Sequence, residues 1–205
     1  MKLHHNPASP FVRMALVTAI ELGLQDQIEL INTGVILPIE RHGGVAGDNP
    51  LGRIPALVTK DGQTIYDSRV ICEYFSAITG DTGLFPAETT PRFRALTLLA
   101  LAQGLCDTAV NLRYETFLRP EEKQWNNWIS RQEERIVDAL DDLEKSWAGD
   151  LENITIGTVG VASSLAYLDF RFGELGWRDA RPNLTAFFDR FSQRPSMTAT
   201  EIPNA

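Results

Sequence analysis

The chain has 205 residues, of which 43% are hydrophobic and 22% are charged, and its formal net charge is −8. This composition is typical of a globular protein with one large or two modest domains. The negative charge argues against a nucleic acid or an anionic membrane as a partner, because both attract a surplus of Lys and Arg. The two cysteines form no C-x-x-C motif, which argues against a disulfide framework and favours a reducing cytoplasm.

The first segments alternate between strand-like and helix-like patterns. "MKLHH" predicts a short strand, and Ser9-Pro10 predicts the start of a helix, with serine as the N-cap and proline at the first helical position. Gly23 is a plausible end of that helix. "QIELIN" then predicts a second strand, and the Gly-rich stretch 34–49 is expected to be a mobile loop.

A hairpin and a further helix complete the first 80 residues. Asp61-Gly62 between "PALVT" and "QTIYD" predicts two antiparallel strands joined by a tight turn. Ser68 is expected to cap the next helix, which would end at Gly80 and bury Ile71, Tyr74, Phe75 and Ile78. The residues alone therefore predict the order β-α-β-loop-β-β-α and a small mixed sheet with helices on its faces.

Beyond a linker at 81–88, "DTGLFPAE", every segment has a helical pattern. Thr90-Pro91 predicts a helix start, and the apolar segment that follows is expected to be deeply buried. The next helix carries a single apolar stripe, formed by Ile129, Ile136, Leu140, Leu143 and Trp147. No signal peptide is visible, and the longest uncharged stretch has 16 residues, too short for a membrane span. We therefore expect a soluble, cytoplasmic protein.

The histidines do not predict a metal site. His4 and His5 are neighbours on a predicted strand, so their side chains point to opposite faces of the sheet. His42 is the third histidine, and three scattered ligands do not make a zinc or iron centre. A serine-histidine-aspartate triad is no better supported, because the sequence has no G-x-S-x-G motif.

Several chemistry-bearing residues fall instead at the junctions of strands and helices. Strand ends that are followed by helix N-termini gather at one edge of a small sheet, where ligands bind. The residues at these junctions and in the intervening loop are Ser9, Arg41, His42, Ile54, Pro55, Asp67 and Ser68.

These segments resemble the soluble glutathione S-transferases, in particular the serine-type bacterial members. "ASPFVR" resembles the S-P-[FY]-x-x-[RK] segment of that family, and "NPLGRIPALV" is similar to its N-P-x-G-x-[IV]-P-x-L segment. "YDSRVICEYF" resembles [ED]-S-x-x-I-x-x-Y, "ITIGTVGVA" resembles the helix-capping segment of the second domain, and "RPSMTATEIP" resembles the usual ending. The resemblance covers nearly the whole chain.

The resemblance implies a fold and an activity. The fold is an α/β thioredoxin-like domain at 1–80, with the order β-α-β-α-β-β-α, then the linker 81–88 and an all-α helical bundle at 89–205. The activity is conjugation of glutathione, as co-substrate and without a metal, to a small electrophile, and the family implies a homodimer. Alternatives on the same fold are a glutathione-dependent isomerase or reductase and a glutathione-binding protein with little turnover.

Ser9 is the catalytic residue that the resemblance implies. Glutathione reacts as its thiolate, and an unperturbed thiol has a pKa of about 8.5. A helix N-terminus favours an anion by about 0.3–1 kcal/mol, and a hydroxyl that donates to a charged sulfur adds about 1.5–3 kcal/mol. Together these effects lower the pKa of the thiol by about one to two units. A serine hydroxyl can accept from its own helix and still donate to sulfur.

The other parts of glutathione have their own expected contacts. A cis Ile54-Pro55 bond would present the backbone of Ile54 to the cysteinyl unit. Asp67 suits the γ-glutamyl ammonium, and Ser68 with the helix N-terminus suits its carboxylate. The glycyl carboxylate is assigned to Arg41 and His42, with Arg13 and Arg53 as alternatives. Phe11 is expected beside glutathione, at the wall of the electrophile pocket.

The electrophile pocket is the least specific part of the prediction. Its walls are assigned to Asn6 in the first domain and to Asn111, Tyr114 and Phe117 on the long helix.

One departure from the family is a threonine, Thr158, where the capping box of the second domain usually has an aspartate. A threonine hydroxyl can still cap, so we expect a modest loss of stability and no loss of function. The nucleophile-activating position holds neither cysteine nor tyrosine, which disfavours disulfide chemistry.

Overall fold

The structure is a computed structural model that describes residues 1–34, 37–40 and 42–202. Arg41 therefore lies outside the described residues. The strands are β1 (Lys2–His5), β2 (Glu29–Asn32), β3 (Ala56–Val58) and β4 (Thr64–Ile65). The helices are α1 (Pro10–Glu21), α2 (Gly43–Ala46), α3 (Ser68–Thr79), α4 (Thr89–Phe117), α5 (Asn126–Ser146), α6 (Ile156–Arg171), α7 (Pro182–Phe191) and α8 (Pro195–Thr198).

The four strands form one mixed sheet in the order β2-β1-β3-β4. β1 and β2 are parallel and are joined through α1, whereas β3 is antiparallel to both β1 and β4. With α2 between β2 and β3, the order is β-α-β-α-β-β-α, so the thioredoxin-like prediction is confirmed. The residue-based prediction of a loop throughout 34–49 was wrong at 43–46, where α2 forms.

Helices α1 and α3 pack together against the sheet. Met14, Ile71 and Phe75 are fully buried there. Thr18 Oγ1 donates to Met14 O at 2.8 Å and lies 3.3 Å from Cys72 Sγ. The predicted stripe of α3 was wrong at one position, since the side chain of Ile78 is 46% exposed.

The chain divides into two compact units, and the last segment of the chain belongs to the first unit, not to the second as the expected domain ranges had it. The first unit combines Met1–Glu88 with the residues from Arg194 onward, and the second is Thr89–Gln193. The Arg194 guanidinium makes an ion pair with Glu21 at 2.7 Å, and Arg13 Nη2 donates to Met197 O at 3.1 Å. The last segment of the chain thus packs on α1.

In the second unit, α4 and α6 lie against each other in parallel. Gly157 at the start of α6 faces Ala95 O, and further along Ser164 Oγ donates to Ala102 O at 3.0 Å. α4 is also long and apolar enough to cross a membrane, but half of its most apolar window is buried inside the protein. Such burial is typical of the core helix of a globular unit.

The first turn of α6 closes a capping box without an acidic residue. The N–H of Thr158 donates to Thr155 Oγ1 at 3.4 Å, and the N–H of Thr155 donates to Thr158 Oγ1 at 2.9 Å. The Thr158 hydroxyl also donates to the carbonyl of Asn153 at 3.0 Å. The prediction that threonine caps this helix is confirmed.

Candidate active site

The strand register brings three chain junctions to one edge of the sheet. His4 of β1 lies opposite Ala56 of β3, and Leu57 lies opposite Ile65 of β4. The carboxyl end of β1, the start of β3 and the end of β4 therefore share one edge. The loop to Ser9, the Ile54-Pro55 bond and the Asp67-Ser68 pair lie at these three ends.

Ser9 is the N-cap of α1, as its position before Pro10 predicts. Its backbone is extended, with φ −86° and ψ 119°, and its Oγ accepts the N–H of Val12 at 3.3 Å. Its carbonyl accepts the N–H of Arg13 at 3.0 Å. Within the described chain the Ser9 hydroxyl has no acceptor for its own proton, so the half-buried group can donate outward.

Asn6 organises the loop that precedes Ser9. Its Oδ1 accepts the N–H of Ala8 at 2.9 Å, and its Nδ2 donates to Gly34 O at 2.6 Å. Its backbone carbonyl accepts the N–H of Ser9 at 3.1 Å. Asn6 therefore holds Ser9 in place, a role that the sequence analysis missed when it assigned Asn6 only to a pocket wall. The half-buried Phe11 follows in the first turn of α1.

The Ile54-Pro55 peptide bond is cis, as predicted. The buried side chain of Asn49 braces the preceding loop, with Nδ2 donating to Arg53 O at 2.8 Å and Oδ1 accepting the N–H of Leu51 at 3.0 Å. Among the described residues, nothing bonds the N–H or C=O of Ile54. This backbone can therefore pair with an extended ligand. The sequence analysis did not identify Asn49, although an asparagine before Pro50 is typical of a turn.

A contact between the buried His4 and the partly exposed Asp48 ties the same loop to the central strand. His4 is 4% exposed, and its Nε2 lies 2.6 Å from Asp48 Oδ2, just after α2. His5 points the other way, and burial lowers the pKa of its imidazole. In the part of the chain that the structure describes, no three His, Cys, Asp or Glu side chains are grouped as metal ligands. This contact joins His4 of β1 to the loop after α2, and sequence reasoning did not foresee it.

The third junction differs in detail from the prediction. Asp67, not Ser68, is the N-cap of α3, and its Oδ1 accepts the N–H of Arg69 at 3.0 Å. Its Oδ2 is 3.1 Å from Arg69 Nη2 in an exposed ion pair. Ser68 is the first helical residue and is fully buried. The expected cap was wrong by one residue because both side chains can cap and only tertiary packing decides which one is buried.

The cationic side chains assigned to the glycyl carboxylate differ in exposure and in their hydrogen-bond partners. His42 is half-buried and precedes α2, and its Nε2 accepts the N–H of Leu37 at 3.1 Å. Arg13 is buried and donates to the carbonyl of Met197, so it is committed within the fold. Arg53 is exposed, close in sequence to the cis bond. The prediction for Arg41 lies outside the described residues.

The residues assigned to the electrophile pocket on the second unit all lie near the end of α4. Asn111 is exposed, Tyr114 is half-buried, and Phe117 is 63% exposed. The Arg113 guanidinium stacks over the ring of Phe117 at 3.8 Å. This end of α4 therefore offers aromatic and cationic surface to a ligand.

Neither cysteine can serve as a nucleophile at neutral pH. Burial raises the pKa of the thiols of Cys72 and Cys106 to about 12 in each case. Both side chains are fully or almost fully buried, in α3 and α4. Both cysteines are therefore small core residues of the fold.

Comparisons with known proteins agree along the whole chain. Residues 8–78 match the family model of the glutathione S-transferase N-terminal domain, and residues 126–190 match that of the C-terminal domain. An uncharacterized GST-like protein, YibF of Escherichia coli K12, is 34% identical over 209 residues, which cover 100% of both chains.

Two solved structures from Pseudomonas fluorescens Pf-5 are also similar. A glutathione transferase family member with bound glutathione is 42% identical, with a TM-score of 0.95 over 98% of each chain. A second structure of a family member, with bound S-(propanoic acid)-glutathione, is 41% identical, with a TM-score of 0.90 over 99% of this chain and 100% of that one.

Proposed function

Because the chain belongs to the glutathione S-transferase family, we propose that it binds glutathione at the shared sheet edge and conjugates it to a small electrophile. The glutathione sulfur forms a bond to the electrophilic carbon as the leaving group, for example chloride, departs. In this proposal the Ser9 hydroxyl donates a hydrogen bond to the glutathione thiolate. Glutathione is a co-substrate, and the similar proteins that hold it or an S-substituted form support this choice. The chemistry requires no metal.

The observation that carries the proposal is the hydrogen bonding of Ser9. One lone pair of Oγ accepts the N–H of Val12, and the hydroxyl proton remains available at the N-terminus of α1. A sulfur placed there gains a charge-assisted hydrogen bond of about 1.5–3 kcal/mol and a favourable helix dipole. Both interactions favour the thiolate over the thiol, so a larger fraction of bound glutathione is reactive at neutral pH.

The remaining contacts place the rest of the tripeptide. The unpaired backbone of Ile54, beside Pro55, pairs with the cysteinyl unit in the manner of an added strand. The γ-glutamyl carboxylate meets the N-terminus of α3 at Ser68, and the ammonium meets the carboxylate of Asp67. Asp67 already binds the exposed Arg69, so the ligand ammonium must share or replace that ion pair.

The glycyl carboxylate is assigned to the loop before β3. We propose that His42 and Arg41 provide this contact, with the exposed Arg53 as the alternative. Phe11 flanks glutathione on α1, and Asn6, Asn111, Tyr114 and Phe117 are proposed for the electrophile. Arg13 is not proposed for the glycyl carboxylate, because its guanidinium donates to the carbonyl of Met197 in the last segment of the chain.

Two other activities on this fold remain as alternatives. Reduction through a protein thiolate is disfavoured, because burial raises the pKa of both cysteine thiols to about 12. Glutathione-dependent isomerisation and simple binding both keep the Ser9 site, and a panel of maleyl-type isomers tests the first. We also propose that the chain forms a homodimer, as the family implies. Its location in the cytoplasm stays a prediction.

The proposal is tested by the Ser9→Ala variant. Because the variant keeps the pocket but loses the hydroxyl, we expect kcat/KM with a chloronitrobenzene to fall by about tenfold or more. The pKa of bound glutathione, measured by thiolate absorbance in the ultraviolet, should rise toward that of the free tripeptide. Unchanged turnover and an unchanged thiol pKa would exclude Ser9 from this role.

Ser9→Gly is the matched control for the capping role of the same residue. Glycine caps a helix nearly as well as serine, whereas alanine costs about 1 kcal/mol. We expect both variants to lose the same activity and only Ser9→Ala to lose stability in urea. If activity falls only in Ser9→Ala, the variant that loses stability, and is kept in Ser9→Gly, then Ser9 acts as a helix cap alone.

A further inference from the structure

His4 joins two distant parts of the first unit through one hydrogen bond. It lies on β1 between Ile31 of β2 and Ala56 of β3, so the neighbouring strands fix its backbone on both sides. Its side chain is 4% exposed, and its Nε2 lies 2.6 Å from Oδ2 of Asp48, 44 residues further along the chain. The imidazole is therefore a rigid, buried anchor for the segment that begins at Asp48.

The direction of this hydrogen bond follows from the surroundings of the ring. A carboxylate only accepts, so the proton of the bond lies on Nε2 of His4. The other ring nitrogen, Nδ1, is buried and has no hydrogen-bond partner among the residues that the structure describes. A proton on Nδ1 would be a buried donor without an acceptor, which is costly. The bond to Asp48 is thus the polar contact that orients the ring, in its Nε2–H form.

Apolar packing alone does not fix the orientation of α2, the short helix that precedes Asp48. Val45 of this helix is 1% exposed, so its burial favours a position of α2 against the rest of the unit. Burial of an apolar side chain has no preferred direction, however. The N–H of Asp48 donates to Val45 O at 3.0 Å, so the hydrogen bond from His4 supplies a direction to the end of the helix.

The segment after Asp48 is stiff, so a displacement at its start reaches its end. Asn49 is 2% exposed, and its side chain bonds to Arg53 O and to the N–H of Leu51. The N–H of Gly52 donates to Asn49 O at 2.8 Å. These bonds within the segment make it one structural piece, and the bond to His4 attaches that piece to β1.

This segment lies between two of the proposed glutathione contacts. His42, proposed for the glycyl carboxylate, directly precedes α2, and Ile54, proposed for the cysteinyl unit, directly follows the stiff segment. Two residues later, Ala56 is paired with His4 itself in the sheet. One residue of β1 thus holds both ends of the stretch 48–56, by its side chain at one end and by its strand register at the other.

On the basis of the function proposed above, we propose that His4 and Asp48 are positioning residues for glutathione. Their hydrogen bond holds the stretch 48–55 in the shape that receives the tripeptide. A preorganised segment binds more tightly, because less conformational freedom is lost when the ligand binds. The pair acts on the affinity for glutathione and not on the chemistry of its sulfur, which is assigned to Ser9.

Calorimetry with glutathione and steady-state conjugation of a chloronitrobenzene test this role. His4→Leu keeps a buried apolar side chain and removes the donor, so we expect it to raise the Kd and the KM of glutathione by about tenfold. Its kcat at saturating glutathione should stay within about twofold of the wild type. His4→Gln should restore most of the affinity, because its amide nitrogen can donate to the same carboxylate.

Asp48→Asn is the milder second variant, because it changes a partly exposed side chain and leaves the core intact. It removes the charge of the acceptor and should weaken glutathione binding by several-fold. The losses in His4→Leu and Asp48→Asn should not add in the double variant, because both changes weaken the same hydrogen bond. Losses that add fully would show that the two residues act separately, and would overturn the proposal.

Thr18→Val is the matched control. Thr18 is a fully buried polar residue of the first unit, but its hydroxyl donates within α1, to Met14 O at 2.8 Å. We expect this variant to lose stability in urea and to bind glutathione as the wild type does. An equal rise of the Kd in Thr18→Val would overturn the proposal, because a general loss of stability would then explain the effect.

The same measurements separate the positioning role from the proposed function. A wild-type chain that does not bind glutathione contradicts the proposed function, and the positioning role with it. If the wild type binds glutathione and both His4→Leu and Asp48→Asn bind it equally well, only the positioning role is overturned. Variants that keep the Kd and lose kcat would overturn it as well, since the pair would then act on the chemical step.

Discussion

Glu21 links the last segment of the chain to α1, and its charge makes that link sensitive to pH. Its carboxylate is 12% exposed and accepts from Arg194 at 2.8 and 2.7 Å and from Ser196. The hydrogen bonds from Arg194 are the largest cause of the lowered pKa of Glu21. A carboxyl whose folded pKa lies below its unfolded value adds stability above the unfolded pKa and loses it as pH falls.

We therefore expect Glu21→Gln to lower the free energy of unfolding by about 1–3 kcal/mol at pH 7. The difference from the wild type should persist down to about pH 5, begin to shrink as the pH falls through the unfolded pKa of about 4.3, and vanish only below the lowered folded pKa, where Glu21 is protonated in both states. Urea unfolding across this range measures it. Glu133→Gln, an exposed glutamate of α5, is the control and should show no such dependence. A constant difference at all pH values would contradict the ionic role.

At the residue scale, local chemistry was predictable and distant contacts were not. Ser9 as an N-cap follows from its position before Pro10, the cis bond at Pro55 follows from the resemblance to the family, and both are present. The contacts of His4 and Arg13 were missed because each depends on a partner that only the folded chain brings near, whereas Asn49 binds the nearby Leu51 and Arg53 and carried a local turn signal. Arg13, for example, is bound 184 residues away, at Met197.

At the element scale, Gly157 permits the close approach of α4 and α6. A Cβ at this position would come within 2.8 Å of both Ala95 O and Leu98 Cβ, which are backbone and near-backbone atoms. Because these atoms cannot move aside cheaply, Gly157→Ala should destabilise the chain by about 1–3 kcal/mol. Thermal and urea unfolding measure the loss.

Gly104 offers the opposite case within α4. It is exposed, and a Cβ there would have no neighbour within 4 Å. Alanine is the better helix former, so Gly104→Ala should raise stability by about 0.5–1 kcal/mol. If Gly157→Ala also raises stability, helix propensity rather than close packing against α4 governs this position in α6.

Most elements were predictable because their ends carry strong local preferences. Gly62 and Gly80 have positive φ values, of 85° and 71°, at the hairpin turn and after α3, as their positions in the sequence predict. The residue pattern alone missed α2, because four residues are too few to show helical periodicity, whereas the resemblance to the family implied a helix there. The start of α4 was also misplaced, since the helix already begins at Thr89, before the predicted cap at Thr90.

At the scale of the whole molecule, composition and pattern predicted a mixed sheet followed by a helical region. They did not predict how far each region extends along the chain. The first unit runs without interruption to Glu88, and the second begins at Thr89. The return of the last segment to the first unit was not expected, because a helical pattern next to other helices gives no information about which unit it joins. Glu21 and Arg13, both on α1, provide the polar contacts that hold it there.

The proposed homodimer is a property of the whole molecule, and the first unit has a surface that suits it. Tyr66, Val70 and Ile78, on or beside β4 and α3, are 38%, 51% and 46% exposed. Between β4 and α3 lies an open depression of about 420 Å³, which Val70 and Tyr74 help to line. Exposed apolar surface around a depression is typical of a self-complementary interface.

We expect the wild-type chain to sediment as a dimer at micromolar concentration and Val70→Glu to sediment largely as a monomer. A charge buried without a partner at an interface weakens association by about tenfold or more. Val137→Glu, at a valine that is 38% exposed on α5, is the matched control and should remain dimeric. A monomeric wild-type chain would exclude the homodimer. Equal dissociation of Val70→Glu and Val137→Glu would mean that the added charge acts without regard to position, and the contact would then not lie at Val70.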